Sequence, residues 1–124
     1  MKTFIVDTSA WISYFEHAAS PFKSMLEGNY LETPTLVLSE LTRILVKRKF
    51  SDAERNQAID YVMQNSLVLP LTAERAIEAG NLCEAEGLHL ADAIIYSYAS
   101  AEKKLLTGDK HFSGKPFAEF IPGA

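Results

Sequence analysis

Four carboxylic acids stand where a folded chain could turn charge into chemistry. Asp7 closes the apolar run of "TFIVDTS", Glu40 lies within "TLVLSELT", Asp92 sits at the head of "LADAIIYSYA", and Asp109 follows "LLTG". They are far apart along the chain and meet only if the fold gathers them. Gathered, they repel, since two unit charges ~4 Å apart cost about 4 kcal/mol at an effective dielectric near 20. The chemistry that offsets this is a hard divalent cation, Mg²⁺ or Mn²⁺, which takes oxygen ligands and retains exchangeable waters. The formal net charge is -4, from 12 Lys+Arg and 16 Asp+Glu, so with these four acids set aside the rest of the chain is balanced.

Each acid also has an ordinary reading. Asp7 suits a helix N-cap, Glu40 can pair with Arg43 on the next turn, Asp92 lies where a helix start favours an anion, and Asp109 fits the turn "TGDK". Common placement argues for function. Thr3–Val6 reads as a buried strand that ends at Asp7, and "DTSAWISYFEH" then turns helical through Trp11, Ile12 and Phe15. Ser20 reads as a cap with Pro21 at the first helical position and Gly28 as the stop. A short strand Tyr30–Glu32 leads to a second such start, with Thr33 as cap, Pro34 next, and a helix to about Lys49 whose Val37, Leu41, Ile44 and Leu45 face inward.

Ser51 and Glu54 have capping-box spacing ahead of a helix with Ala58, Ile59 and Val62 as its buried stripe. "SLVLPL" reads as a strand that Pro70 confines to an edge or end. A helix from a Thr72 cap to a Gly87 stop, with Ile77, Leu82 and Cys83 apolar, is followed directly by the "LADAIIYSYASAEK" helix. "KLLTG" and "AEFI" are the last strand candidates, ahead of a Pro122-Gly123 tail. Strands alternating with helices predict a three-layer α/β/α sandwich around a mainly parallel sheet, because parallel strands need crossovers. Ligands in such folds bind beyond the carboxyl ends of the strands, where these four acids are expected to emerge.

A length of 124 residues, 48% hydrophobic and 23% charged, predicts one domain over residues 1–124 with a single core. Cys83 is the lone cysteine, which rules out an intrachain disulfide or a thiolate metal cluster. Without a signal-like apolar segment or a run long enough to span a bilayer, the expectation is a cytoplasmic protein with no membrane partner. An acidic balance excludes a broad basic nucleic-acid surface, so a polyanion needs local cations. Arg43 and Lys47 share a helix face with Glu40 within reach of "VKRK", and Lys103, Lys104, Lys110 and Lys115 surround the Asp109 segment. Arg43, Lys47 and Lys110 are the candidate phosphate contacts. His89 could ligate a metal beside Asp92 but reads better as a helix-entry residue, with His17 and His111 weaker still. Trp11, Tyr14, Phe15, Tyr96 and Tyr98 could stack bases, although core or subunit contacts suit them better.

These residues resemble the PIN domain family, and within it the small VapC-like toxins of prokaryotic type II toxin-antitoxin pairs. "FIVDTSAWISYF" resembles the family's opening strand and first acid, "LVLSEL" its helical glutamate, "LADAIIYSYA" its third acid, and "LLTGDKHF" its fourth acid and following aromatic. The likeness runs in order along essentially the whole chain. It implies a Mg²⁺- or Mn²⁺-dependent endoribonuclease using one or two ions. Asp7, Glu40, Asp92 and Asp109 would form the catalytic pocket, with Asp7, Asp92 and Asp109 as metal ligands and Ser9 and Thr107 as hydroxyl supports. Glu40 could ligate the metal or accept a proton. The resemblance further implies an RNA substrate cut to 5′-phosphate and 3′-hydroxyl ends, a cognate antitoxin protein and a homodimer. The alternatives are a non-catalytic RNA- or protein-binding module of the same fold, and a phosphoacceptor domain. The latter expects paired acids after the first strand, where this chain has "VDTS".

Overall fold

The computed structural model describes residues 1–122, so Gly123 of the expected tail lies outside the described residues. Strand β1 (Thr3–Val6) carries Phe4, Ile5 and Val6, all buried, and leads into helix α1 (Thr8–Glu16). A short helix α2 (Lys23–Glu27) precedes β2 (Tyr30–Pro34) and α3 (Thr35–Lys47). Then come α4 (Asp52–Asn65), β3 (Leu67–Leu69), α5 (Ala73–Glu86) and α6 (Leu90–Tyr96). The described chain closes with β4 (Lys103–Thr107), a single 3₁₀ turn (Lys110–Phe112) and β5 (Ala118–Phe120).

The strands form one sheet in the order β3-β2-β1-β4-β5, and every pairing is parallel. With helices as crossovers this is the expected α/β/α arrangement, and the sheet is wholly rather than mainly parallel. From β1 the chain builds outward through β2 and β3, then returns to the other side of β1 to lay down β4. That reversal makes the carboxyl end of β1 a topological switch point, where a crevice opens between loops leaving in opposite directions. The Asp7 backbone N–H donates to the Leu106 carbonyl at 3.0 Å, extending the β1–β4 ladder to the crevice floor.

Several starts follow from local chemistry. Ser51 and Glu54 form the reciprocal capping box, and α5 runs from the Thr72 cap to Gly87 in the left-handed conformation at φ 65. Val37, Leu41 and Leu45 form the buried stripe of α3, with Ile44 at its margin. β3 is an edge strand that stops before Pro70, as a missing amide requires.

Other expectations are corrected. Thr33 does not cap α3. It extends β2 and pairs with Val68, because its buried hydroxyl accepts from Trp11 Nε1 at 3.2 Å and donates to Ser66 Oγ at 2.9 Å. Satisfying the indole N–H of a fully buried tryptophan outweighs a cap at the surface. Pro34 therefore takes the cap position and α3 starts at Thr35. Ser20 bonds Ser13 Oγ at 2.7 Å, and α2 begins only at Lys23. Ile77 is 71% exposed, and Ala79 instead faces the core from α5. Helix α6 ends at Tyr96, well short of Lys103, where Ser97 Oγ bonds back to the Ile94 carbonyl at 2.6 Å. Trp11 and Tyr96 are core residues, and Trp11 stacks on Phe15 at 5.8 Å.

Candidate functional site

Asp7, Glu40, Asp92 and Asp109 all line one cleft of about 440 Å³ at the switch point. Each reaches it for a local reason. Asp7 is the first residue beyond a central strand buried on both faces, so it emerges only 4% exposed. Glu40 stands one residue before Leu41 on α3, turned from the buried stripe toward the cleft. Asp92 lies in the first turn of α6. Asp109 follows β4 and caps the 3₁₀ turn, its Oδ1 accepting the His111 N–H at 2.9 Å.

Asp7 occupies the N-cap position of α1 yet makes no side-chain cap bond among the described residues. Its Oδ2 instead accepts the hydroxyls of Thr107 at 2.7 Å and Ser9 at 2.8 Å. Those hydroxyls are fixed from the other side, Ser9 Oγ accepting the Gly108 N–H at 2.9 Å and Thr107 Oγ1 the Asp109 N–H at 3.0 Å. Each hydroxyl gives its proton to Oδ2 and takes a backbone N–H on one of its two lone pairs. The two oxygens are also within hydrogen-bond distance of one another, at 3.2 Å. Oδ1 is left without a hydroxyl partner. Burial pushes the Asp7 carboxyl up from its ordinary 3.8 to about 6, against the hydrogen bonds from Thr107, Ser9 and the Thr8 backbone, and with a small push from Glu40.

Glu40 is held by Thr8, whose hydroxyl donates to Oε1 at 2.6 Å. Asp92 is also raised, first by desolvation and then by the Asp109 carboxylate, with His111 opposing. One ligand atom each of Asp92, Asp109 and His111 lies within 4.8 Å of the other two. Two carboxylates that close are unfavourable without a counter-charge. Hard oxygen donors converging on a cleft whose buried carboxylate is held against its preference fit Mg²⁺ or Mn²⁺.

Of the candidate phosphate contacts only Arg43 lines the cleft; Lys47 and Lys110 are exposed and stand outside its lining. Lys103 and Lys104 are corrected more firmly. Lys103 pairs with Thr3 at the amino end of the sheet and bonds Glu32 at 2.9 Å, roughly 13 Å of strand from Thr107. Lys115 bonds Glu86 at 3.0 Å. The sequence reading missed Arg48, which lines the cleft in ion-pair contact with Glu16, and Thr8 beside it; His17, a weak metal candidate in the sequence, also lines the cleft. Arg48 is the C-cap residue of α3, just past its last helical position, so the helical spacing that links Glu40, Arg43 and Lys47 does not single it out. His111, rated a weak candidate, joins the acid cluster because the 3₁₀ turn folds it back over Asp109. His89, at the α6 start, packs its ring edge-on to His111 at 5.9 Å.

The family model of the PIN domain matches residues 4–118. No curated protein matches the chain by sequence. Solved structures do match. A toxin-antitoxin complex from Klebsiella pneumoniae superposes with a TM-score of 0.76 at 18% identity, over 94% of this chain and 95% of that one. DNA-bound VapBC from Salmonella typhimurium gives 0.73 at 20% identity, over 98% of each chain. VapC20 from Mycobacterium tuberculosis, a toxin that cleaves the sarcin-ricin loop, gives 0.64 at 19% identity, over 77% of this chain and 79% of that one. At such identities the likeness establishes a shared fold.

Proposed function

Because the chain belongs to the PIN domain family, we propose that it is a metal-dependent endoribonuclease, the toxin of a toxin-antitoxin pair. The observation that carries this reading is the convergence of Asp7, Glu40, Asp92 and Asp109, from four separate elements, on one cleft. Asp7, Asp92 and Asp109 would hold Mg²⁺ or Mn²⁺, as one ion or two. Bound there, the metal supplies Lewis-acid activation of a water and neutralises charge at the phosphodiester.

The protein's own groups do the rest. Ser9 and Thr107 lock Asp7 through Oδ2 and so present Oδ1. Thr8 holds Glu40 through Oε1, which leaves Oε2 to accept the proton of the attacking water. Arg43 and Arg48 line the same cleft and would seat the phosphate beside acids that otherwise repel it. Attack by an external water leaves a 5′-phosphate and a 3′-hydroxyl.

The partners follow the same reading. Two of the similar structures are a toxin-antitoxin complex and a VapBC complex, which supports an antitoxin able to place a basic side chain in the acidic cleft. A homodimer in the cytoplasm completes the proposal. No helix among the described residues is long and apolar enough to cross a membrane.

The test is cleavage of single-stranded RNA by the purified chain with Mn²⁺ and with EDTA, beside Asp92→Asn. Cleavage that needs Mn²⁺ and disappears in a folded Asp92→Asn supports the assignment. RNA retained without metal-dependent cleavage would turn it into a binding module.

A further inference from the structure

His111 is an exposed histidine that the four acids do not account for. Its Nδ1 lies 2.9 Å from Asp109 Oδ1, and one of its ring nitrogens falls within 4.8 Å of ligand atoms of both Asp92 and Asp109. Two neighbouring ligands of one octahedral ion stand about 3 Å apart, so the Nδ1 nitrogen and Asp109 Oδ1 have the separation of two donors to the same cation. His89 packs edge-on against the ring at 5.9 Å, on the side of the α6 start.

We propose that His111 is a nitrogen ligand of the metal site, which makes this cleft selective for Mn²⁺ and later first-row ions over Mg²⁺. This rests on the reading above that the cleft holds a divalent cation. An all-carboxylate site suits Mg²⁺, Ca²⁺ and Mn²⁺ alike, whereas imidazole adds affinity for transition ions and almost none for Mg²⁺. The exposed position of His111, beside a cleft that Asp92 and Asp109 line, would put it on the solvent side of the ion.

The experiment is Mn²⁺ electron spin-echo spectroscopy on the wild-type chain and His111→Ala, with Mn²⁺ and Mg²⁺ titrations of both. The His111 side chain is 60% exposed, so the variant should fold, as its circular dichroism will show. Expected is a nitrogen hyperfine coupling in the wild type that vanishes in His111→Ala. The Mn²⁺ dissociation constant should rise about tenfold or more, against a change below about twofold for Mg²⁺. An oxygen-only spectrum in the wild type overturns the proposal, as does an equal loss of affinity for both ions. Failure of the wider reading looks different: wild-type protein then binds neither ion at millimolar concentration.

Discussion

Replacing Asp7 by Asn should stabilise the metal-free protein at neutral pH, the opposite of what losing a structural cap does. Folded Asp7 titrates near 6 against its ordinary 3.8, chiefly because it is buried. At about 1.4 kcal/mol per tenfold change in the proton equilibrium, keeping it ionised costs the fold about 3 kcal/mol. The sign follows from proton counting. Between 3.8 and about 6 the folded chain holds more protons at this site than the unfolded chain does. Stability therefore falls as pH rises through that window, and the loss is complete above it. Asparagine keeps the shape, accepts both hydroxyls through its carbonyl oxygen, and has no charge to bury. Urea unfolding in EDTA, followed through the fluorescence of buried Trp11, should give equal stabilities near pH 4. Near pH 8 the variant should lead by up to about 3 kcal/mol, or about 10 °C in Tm for a domain of this size. Asp92 is also raised and is present in both proteins, so a shallower slope should survive in the variant. A variant less stable than wild type at pH 8 would show that Asp7 is a structural anchor and refute the reasoning.

Four further outcomes are expected. Thr107→Val removes a donor to Asp7 and the acceptor for the Asp109 N–H, so it should cost about 1–3 kcal/mol in urea and push the Asp7 titration higher. Ser51→Ala breaks only the α4 capping box; about 1 kcal/mol should be lost in thermal melts while RNA cleavage is unchanged. Arg43→Ala should weaken RNA binding and flatten its salt dependence by about 0.7 in log–log slope, measured by filter binding across a salt series. Mn²⁺ at about a hundred times its dissociation constant should stabilise the wild type by about 2.7 kcal/mol and Asp92→Asn by clearly less, read by differential scanning fluorimetry.

The parts of the fold legible in sequence are those whose cause is local. β1 is an uninterrupted apolar run, the α4 box is set by two residues three apart, and Thr72 and Gly87 mark both ends of α5. The acids were legible because strand ends and helix starts in a parallel sheet share one rim, and all of them do line one cleft. What failed depended on contacts distant in sequence. Nothing around Thr33 announces that Trp11 needs its oxygen, and so the strand was ended too soon. Lys103 is four residues from Thr107 in sequence, yet the extended strand carries it to the opposite end of the sheet. Helical phase favours Lys47 over Arg48; Arg48 lies just past the end of α3, and its contact with Glu16, distant in sequence, goes with its place in the cleft lining. His111 required the 3₁₀ turn, a detail too short for any periodicity to signal.

The most direct measurement is a crystal of this chain grown with Mn²⁺, with anomalous difference density collected at the manganese edge. The expected result is a strong peak in the cleft at about 2.2 Å from carboxylate oxygens of Asp7, Asp92 and Asp109. A cleft without such a peak, in crystals of protein that still cleaves RNA, would contradict the claim that these acids are gathered to hold a cation.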